Sequence, residues 1–183
     1  MSQPRFLTMV FSLLLVFPLV GAALAQPGTT PGQPSSPGVA CGPDHQILYK
    51  RAVTLLDNAE RKLTARYTAE AKSMAKEAKS LFAILQKECG QDQKERLLTP
   101  QEAQQEAINQ KLSADEQDQA DRLVKSAEEK FKKASLLGTG QPEMYTKLMR
   151  EAEAENQQAE NRSIKAMIYA LRTDQMLFSF LAK

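Results

Sequence analysis

Apolar residues recur at three- and four-residue steps along the first half of the chain: Leu48, Ala52, Leu55, Ala59, Leu63, Tyr67, Ala71, Met74, Ala78, Leu81 and Leu85. That is one stripe on one helical face. No Gly or Pro occurs from Asp44 to Glu88; Asp44 suits a cap, Pro43 precedes it, and Gly90 stands where a C′ residue ends a helix. The pattern predicts one unbroken helix over about 44–89, on the order of 65 Å long.

A second helix is predicted over about 100–137. Thr99 suits the N-cap, Pro100 the first helical position, and Glu102 completes a capping box. Ser113-Ala114-Asp115-Glu116 is another such box in an almost wholly polar stretch, so this segment reads as one helix with a thin middle or as two in line. Leu123, Val124, Ala127, Phe131, Ala134 and Leu137 then form a clear apolar face. Gly138 to Pro142 is a tight turn, and a third helix over about 142–182 buries Tyr145, Leu148, Ala152, Ala159, Ala166, Met167, Ala170, Leu177 and Leu181. Its last turns are apolar on most faces. Phe178, Phe180 and Leu181 there either close the bundle or form a contact patch.

Three helices with short connections imply an all-α fold, an elongated, coiled-coil-like, antiparallel three-helix bundle over residues 43–183. A turn centred near Gly140 sets residue n of the second helix beside residue 280 − n of the third. The polar stretch Ser113 to Asp121 then lies opposite Ala159 to Met167, next to a first helix offering Ala65, Ala69, Ala71 and Ala75. Little apolar area is buried at such a waist, and its polar groups must stay wet or find partners.

The opening segment changes the picture from fold to address. Arg5 precedes an apolar run from Phe6 to Val20 and a small-residue end, Ala23-Leu24-Ala25. This is the pattern of a cleaved signal peptide over residues 1–25, and the run is shorter than the ~20 residues a membrane span needs. Residues 26–42 follow as a Pro/Gly/Ser-rich disordered linker, a tether. A secreted or periplasmic location is expected, with no membrane span after cleavage. A lipid-attachment box at Cys41 is disfavoured, because it lies far downstream of the apolar run.

The formal charge is +2, and loss of residues 1–25 removes only Arg5, leaving +1. A nearly neutral chain has no electrostatic reason to bind nucleic acid. Lys130, Lys132 and Lys133 sit about one turn after Glu128 and Glu129, the spacing of pairs on a solvated face.

Cys41 and Cys89 are the only cysteines. An export route permits disulfides, yet a continuous helix between them separates them by roughly 65 Å, against the ~6 Å of a bridged pair. Three readings follow. The first helix folds back near Thr64 to Thr68, although TARYT holds no turn residue; two chains link reciprocally as a homodimer; or both thiols stay free. Free or intermolecular thiols are favoured over an intrachain bond. With the single His45 the cysteines make an incomplete metal set without CxxC spacing, so no metal or cofactor is expected. His45 at a helix start reads as a capping or surface group. The chain carries no phosphate loop, GxSxG, HExxH or nucleotide fingerprint, so no catalytic residue is expected.

Leu98-Thr99-Pro100-Gln101-Glu102 and Leu112-Ser113-Ala114-Asp115-Glu116-Gln117 resemble the LTxxQ motif of small, exported, all-helical stress chaperones of the bacterial periplasm. The resemblance covers about 20 residues and departs at the final Gln in both copies; it carries over no functional residue. In outline the chain is also similar to the tentacled periplasmic chaperone of outer-membrane proteins, without that family's β-core or strong basic charge. The expected function is that of an exported, non-enzymatic helical interaction or scaffold protein of the cell envelope with protein partners. The alternative is a periplasmic chaperone that holds unfolded clients on an amphipathic helical surface.

Overall fold

The computed structural model describes residues 41–137 and 140–183. The expected signal peptide and most of the expected linker lie outside the described residues. Four α-helices follow in order: α1, Pro43–Thr64; α2, Thr68–Glu95; α3, Pro100–Leu137; and α4, Pro142–Leu177. A short 3₁₀ turn, Ser179–Ala182, comes after α4. The described chain is all-helical, with no strand among the described residues and no helix long and apolar enough to cross a membrane.

The single helix expected over 44–89 is in fact α1 and α2, and the three-helix bundle becomes a four-helix arrangement. The break is a Schellman turn. Arg66 N–H donates to Leu63 O (3.0 Å) and Tyr67 N–H donates to Lys62 O (2.9 Å). These are the two bonds that satisfy the last carbonyls of a helix whose next residue is left-handed. That residue is Arg66, at φ 67°. Glycine usually fills such a position, because a Cβ there costs roughly 1–2 kcal/mol. A helix can therefore stop without a stop signal when packing beyond the turn offsets that cost.

The packing is visible in the stripe. Folded at Arg66, the one apolar face becomes two facing ones, with Tyr49, Ala52, Leu56 and Ala59 of α1 buried against Ala71, Ala75, Ala78, Phe82 and Leu85 of α2. Tyr49 meets Phe82 edge-on at 6.4 Å between ring centroids. Ile164, Ile168 and Leu171 of α4 cover this hairpin, and burial of each such side chain contributes about 1.5–3 kcal/mol. Polar bonds fix the angle of approach: Tyr49 Oη donates to Gln175 O (3.0 Å), and Thr68 Oγ1 lies 2.7 Å from Asn161 Oδ1. Arg172 bridges to Asp57 (2.8 Å) and to Glu60.

The 3₁₀ turn folds the apolar end of α4 back over α1. Phe178 and Leu181 are buried in the core, and Phe180 is half-buried against it. The contact-patch reading of these residues is therefore corrected: they are the closing layer, because a back-folded apolar end finds the hairpin before it finds solvent.

The capping box at Thr99 forms as expected. Glu102 N–H donates to Thr99 Oγ1 (3.2 Å), and Thr99 N–H donates to Glu102 Oε2 (2.9 Å). Arg96 joins the same corner, pairing with Glu102 and donating to Met176 O (3.1 Å) and Leu177 O (3.3 Å) at the end of α4. The box at Ser113 does not start a helix. Here α3 runs unbroken, and Ser113 Oγ donates across the seam to Ala166 O (2.9 Å).

Candidate functional site

The α3–α4 hairpin is built differently from α1–α2. Buried alanines recur every seven residues on both helices, Ala120, Ala127 and Ala134 on α3 and Ala152, Ala159 and Ala166 on α4, and the register sets Ala120 near Ala159 and Ala127 near Ala152. Small residues at one heptad position let the two backbones approach closely but bury little area. Between the alanine layers lie charged ones. Glu116, only 8% exposed, accepts from Arg162 (2.7 Å) and Lys165 (2.6 Å). Lys130 donates to Glu155 (2.6 Å) and lies 3.5 Å from Glu151. Its expected role in a pair along its own solvated face is corrected: Lys130 points across the seam to two carboxylates, and three and four residues away on its own helix stand Ser126, Ala127, Lys133 and Ala134, which offer none.

These pairs match the register deduced from the turn. Glu116 is expected beside residue 164 and meets Arg162 and Lys165; Lys130 is expected beside residue 150 and meets Glu151 and Glu155. Burial pushes the Glu116 carboxyl up, but the bonds from Lys165 and Arg162 outweigh it and hold it below the ordinary range. Glu155 is likewise held low, chiefly by its bond from Lys130. At the polar waist Ser113 and Glu116 thus find partners across the seam, while Asp115, Gln117, Asp118, Gln119 and Asp121 stay exposed.

Among the described residues the backbone of α3 approaches only that of α4, whereas α4 also packs against α1 and α2. The contacts of the first hairpin on α4 run down to Lys72–Glu160 (2.6 Å) and Thr68–Asn161 (2.7 Å). Below that level α3 and α4 continue as a two-helix arm. The 36 residues of α4 exceed the 22 of α1 by about 20 Å of helix. The arm exposes Val124, Leu136, Met144 and Tyr145, with Leu136 79% exposed.

The other constellation lies at the open end of the α1–α2 hairpin. Cys41 and Cys89 form an intrachain disulfide with Cα atoms 5.6 Å apart. The preference for free or intermolecular thiols, including the reciprocal dimer, is therefore corrected; the fold-back at Arg66 removes the geometric objection. His45 is buried beside the disulfide. Its Nδ1 accepts from Gly42 N–H (3.1 Å), a capping role that the sequence anticipated. Its Nε2 is 2.9 Å from Glu88 Oε2. With Nδ1 accepting, Nε2 carries the proton and donates to Glu88. Cys41 N–H donates to Asp92 Oδ2 (3.2 Å). The two sulfurs and an imidazole nitrogen lie within 4.8 Å of one another. Sequence reasoning named these three residues together but set them aside as an incomplete metal set, and weighed a fold-back near Thr64 to Thr68 without favouring it; Cys89 joins Cys41 and His45 only because the chain does reverse there, at Arg66.

Comparison of the chain with family models, curated proteins and solved structures finds no match.

Proposed function

We propose that this chain is an exported, non-enzymatic helical interaction protein of the cell envelope whose binding element is the α3–α4 arm. The observation that carries this reading is the contrast within α4. Its C-terminal half is a core helix, with Ile164, Ile168 and Leu171 buried; its N-terminal half runs beside α3, lies beyond the α2 bonds at Glu160 and Asn161, and leaves Met144 and Tyr145 exposed. A two-helix coil held by alanine layers contributes little to its own stability, so its length is better explained by presentation than by folding. The Pro/Gly/Ser-rich segment before α1 serves as the tether that lets the body stand off from a surface.

The test is in-cell photo-crosslinking from the arm, at Leu136 and at Tyr145, against a control at Ile47 on α1. One discrete protein adduct from both arm positions and none from Ile47 supports the reading. Equal adducts from all three positions, or none from the arm, contradicts it. The chaperone alternative gives a broad smear of adducts and suppresses aggregation of a model client at near-stoichiometric amounts.

A further inference from the structure

We propose that Cys41, Cys89 and His45 form a redox-gated site for a zinc-class cation, closed as the disulfide and open to metal when the pair is reduced. The donor set is two thiolates and one imidazole, three protein ligands that leave a fourth position for water, a combination suited to a tetrahedral d¹⁰ ion. The ligand atoms already lie within 4.8 Å of one another. A tetrahedron with metal–sulfur bonds of about 2.3 Å needs its sulfurs only about 3.8 Å apart, a separation that side-chain rotation supplies once the sulfur–sulfur bond is gone.

The imidazole is already oriented for this work. Its lone pair is on Nδ1, which accepts from the N–H of Gly42, the residue after Cys41, while Nε2–H is held by Glu88. A carboxylate on the far nitrogen of a metal-binding histidine fixes the tautomer and raises the basicity of the near one. Coordination would replace the Gly42 N–H bond and keep the Glu88 bond. The carboxylates of Glu88 and Asp92, both bonded to this cluster, favour a cation over two unneutralised thiolates.

A dithiol delivers two electrons and two protons to the Cys41–Cys89 bond, giving two thiols and leaving as its own disulfide. The divalent cation then displaces the two thiol protons and binds both sulfurs. Metal affinity is therefore expected to rise with pH and to vanish on oxidation.

The experiment uses the mature chain, oxidised or reduced under argon with a phosphine, which takes up oxygen from water to become its oxide. Co²⁺ is the probe, followed by displacement with Zn²⁺ and with far-UV circular dichroism in parallel. The reduced protein is expected to bind one Co²⁺ per chain with a thiolate charge-transfer band and tetrahedral d–d bands; the oxidised protein is expected to show neither. Glu88→Gln is expected to weaken binding about tenfold, and His45→Ala by more. Should reduction loosen the helices, Zn²⁺ is expected to restore them in the wild type and not in His45→Ala. The proposal is overturned by the absence of both Co²⁺ bands and Zn²⁺-restored helix in the reduced chain. Equal affinity in His45→Ala, or equal binding by the oxidised chain, overturns it as well.

Discussion

The two hairpins use the same secondary structure and reach opposite solutions. In α1–α2, large side chains such as Tyr49, Leu56, Phe82 and Leu85 are buried, α4 supplies a third layer, and a disulfide closes the open end. In α3–α4 the buried seam is alanine interrupted by charged layers, and among the described residues α3 has no helical neighbour but α4. The first hairpin is stabilised by buried area and a covalent link. The second is specified more than it is stabilised: Glu116 with Arg162 and Lys165, and Lys130 with Glu155, set a register that interchangeable alanine layers leave open.

The largest expected effect breaks the first hairpin's advantage. A Cys41→Ser, Cys89→Ser double variant releases a loop whose ends are 48 residues apart in sequence. Chain-entropy reasoning puts the cost at about 4 kcal/mol, a fall in Tm on the order of 10 °C. Thermal unfolding by circular dichroism checks it, and a change under 1 °C would mean that the hairpin does not need its staple.

Next in size is Glu116→Ala. It leaves Arg162 and Lys165 without their shared acceptor and removes one register layer. Both cations are partly solvated, so the expected cost is about 1–2 kcal/mol, read by denaturant titration. Glu116→Leu separates stability from specificity. It is expected to unfold no earlier than wild type while broadening the interspin distance distribution between labels on α3 and α4, since a heptad slip then costs less.

The pH profile distinguishes two carboxylate environments. Burial raises the Asp174 carboxyl from 3.8 to about 6, with Lys79 pulling the other way. A folded value above the unfolded one means the folded chain holds the proton more tightly. Asp174 therefore penalises folding fully above pH 6 and ceases to do so as pH falls toward 3.8. Glu116 and Glu155, both lowered from 4.5, contribute stability above that pH and lose it as pH falls through their folded values. Melting temperature is thus expected to rise from pH 7.5 to about 5 and then fall. Asp174→Asn is expected to raise it at pH 7.5 and abolish the rise; an unchanged profile would contradict the assignment.

The smallest effect concerns the turn. Arg66→Gly relieves a left-handed Cβ, offset in part by a more flexible unfolded chain, for a net gain of about 0.5–1 kcal/mol. A loss of stability would show that the Arg66 side chain stabilises the turn by other means.

Most of the helical content was legible in sequence, whereas the turn that organises it was weighed near Thr64 to Thr68 but not favoured, for want of a turn residue. The stripe from Leu48 to Leu85 marked the inward side only in part: Ala52, Ala59, Ala71, Ala78 and Leu85 are buried, but Tyr67 at the turn is exposed, and Tyr49, Leu56, Ala75 and Phe82 of the core lay outside the stripe. What periodicity cannot show is a reversal whose left-handed residue is an arginine. The capping box at Thr99 and the 280 − n register were readable because each rests on local chemistry or loop length. The Cys41–His45–Cys89 cluster was named in sequence but not favoured, since Cys89 reaches the other two only once Arg66 reverses the chain. Phe178 and Leu181 were correctly marked as apolar, but only tertiary structure decides between a closing layer and an exposed patch.

The central claim is that one end of α4 belongs to a three-layer core while the other belongs to a free arm. Native-state hydrogen exchange on the oxidised full chain, resolved by peptide along α4, tests it most directly. Amides in the α4 segment from Ile164 to Leu171 are expected to share the slow exchange of α1 and α2, opening only with global unfolding. Amides from Lys147 to Glu155, together with Leu123 to Ala134 on α3, are expected to exchange through a separate and easier opening. Uniform slow exchange along α4, with the arm as protected as the core, would contradict the account.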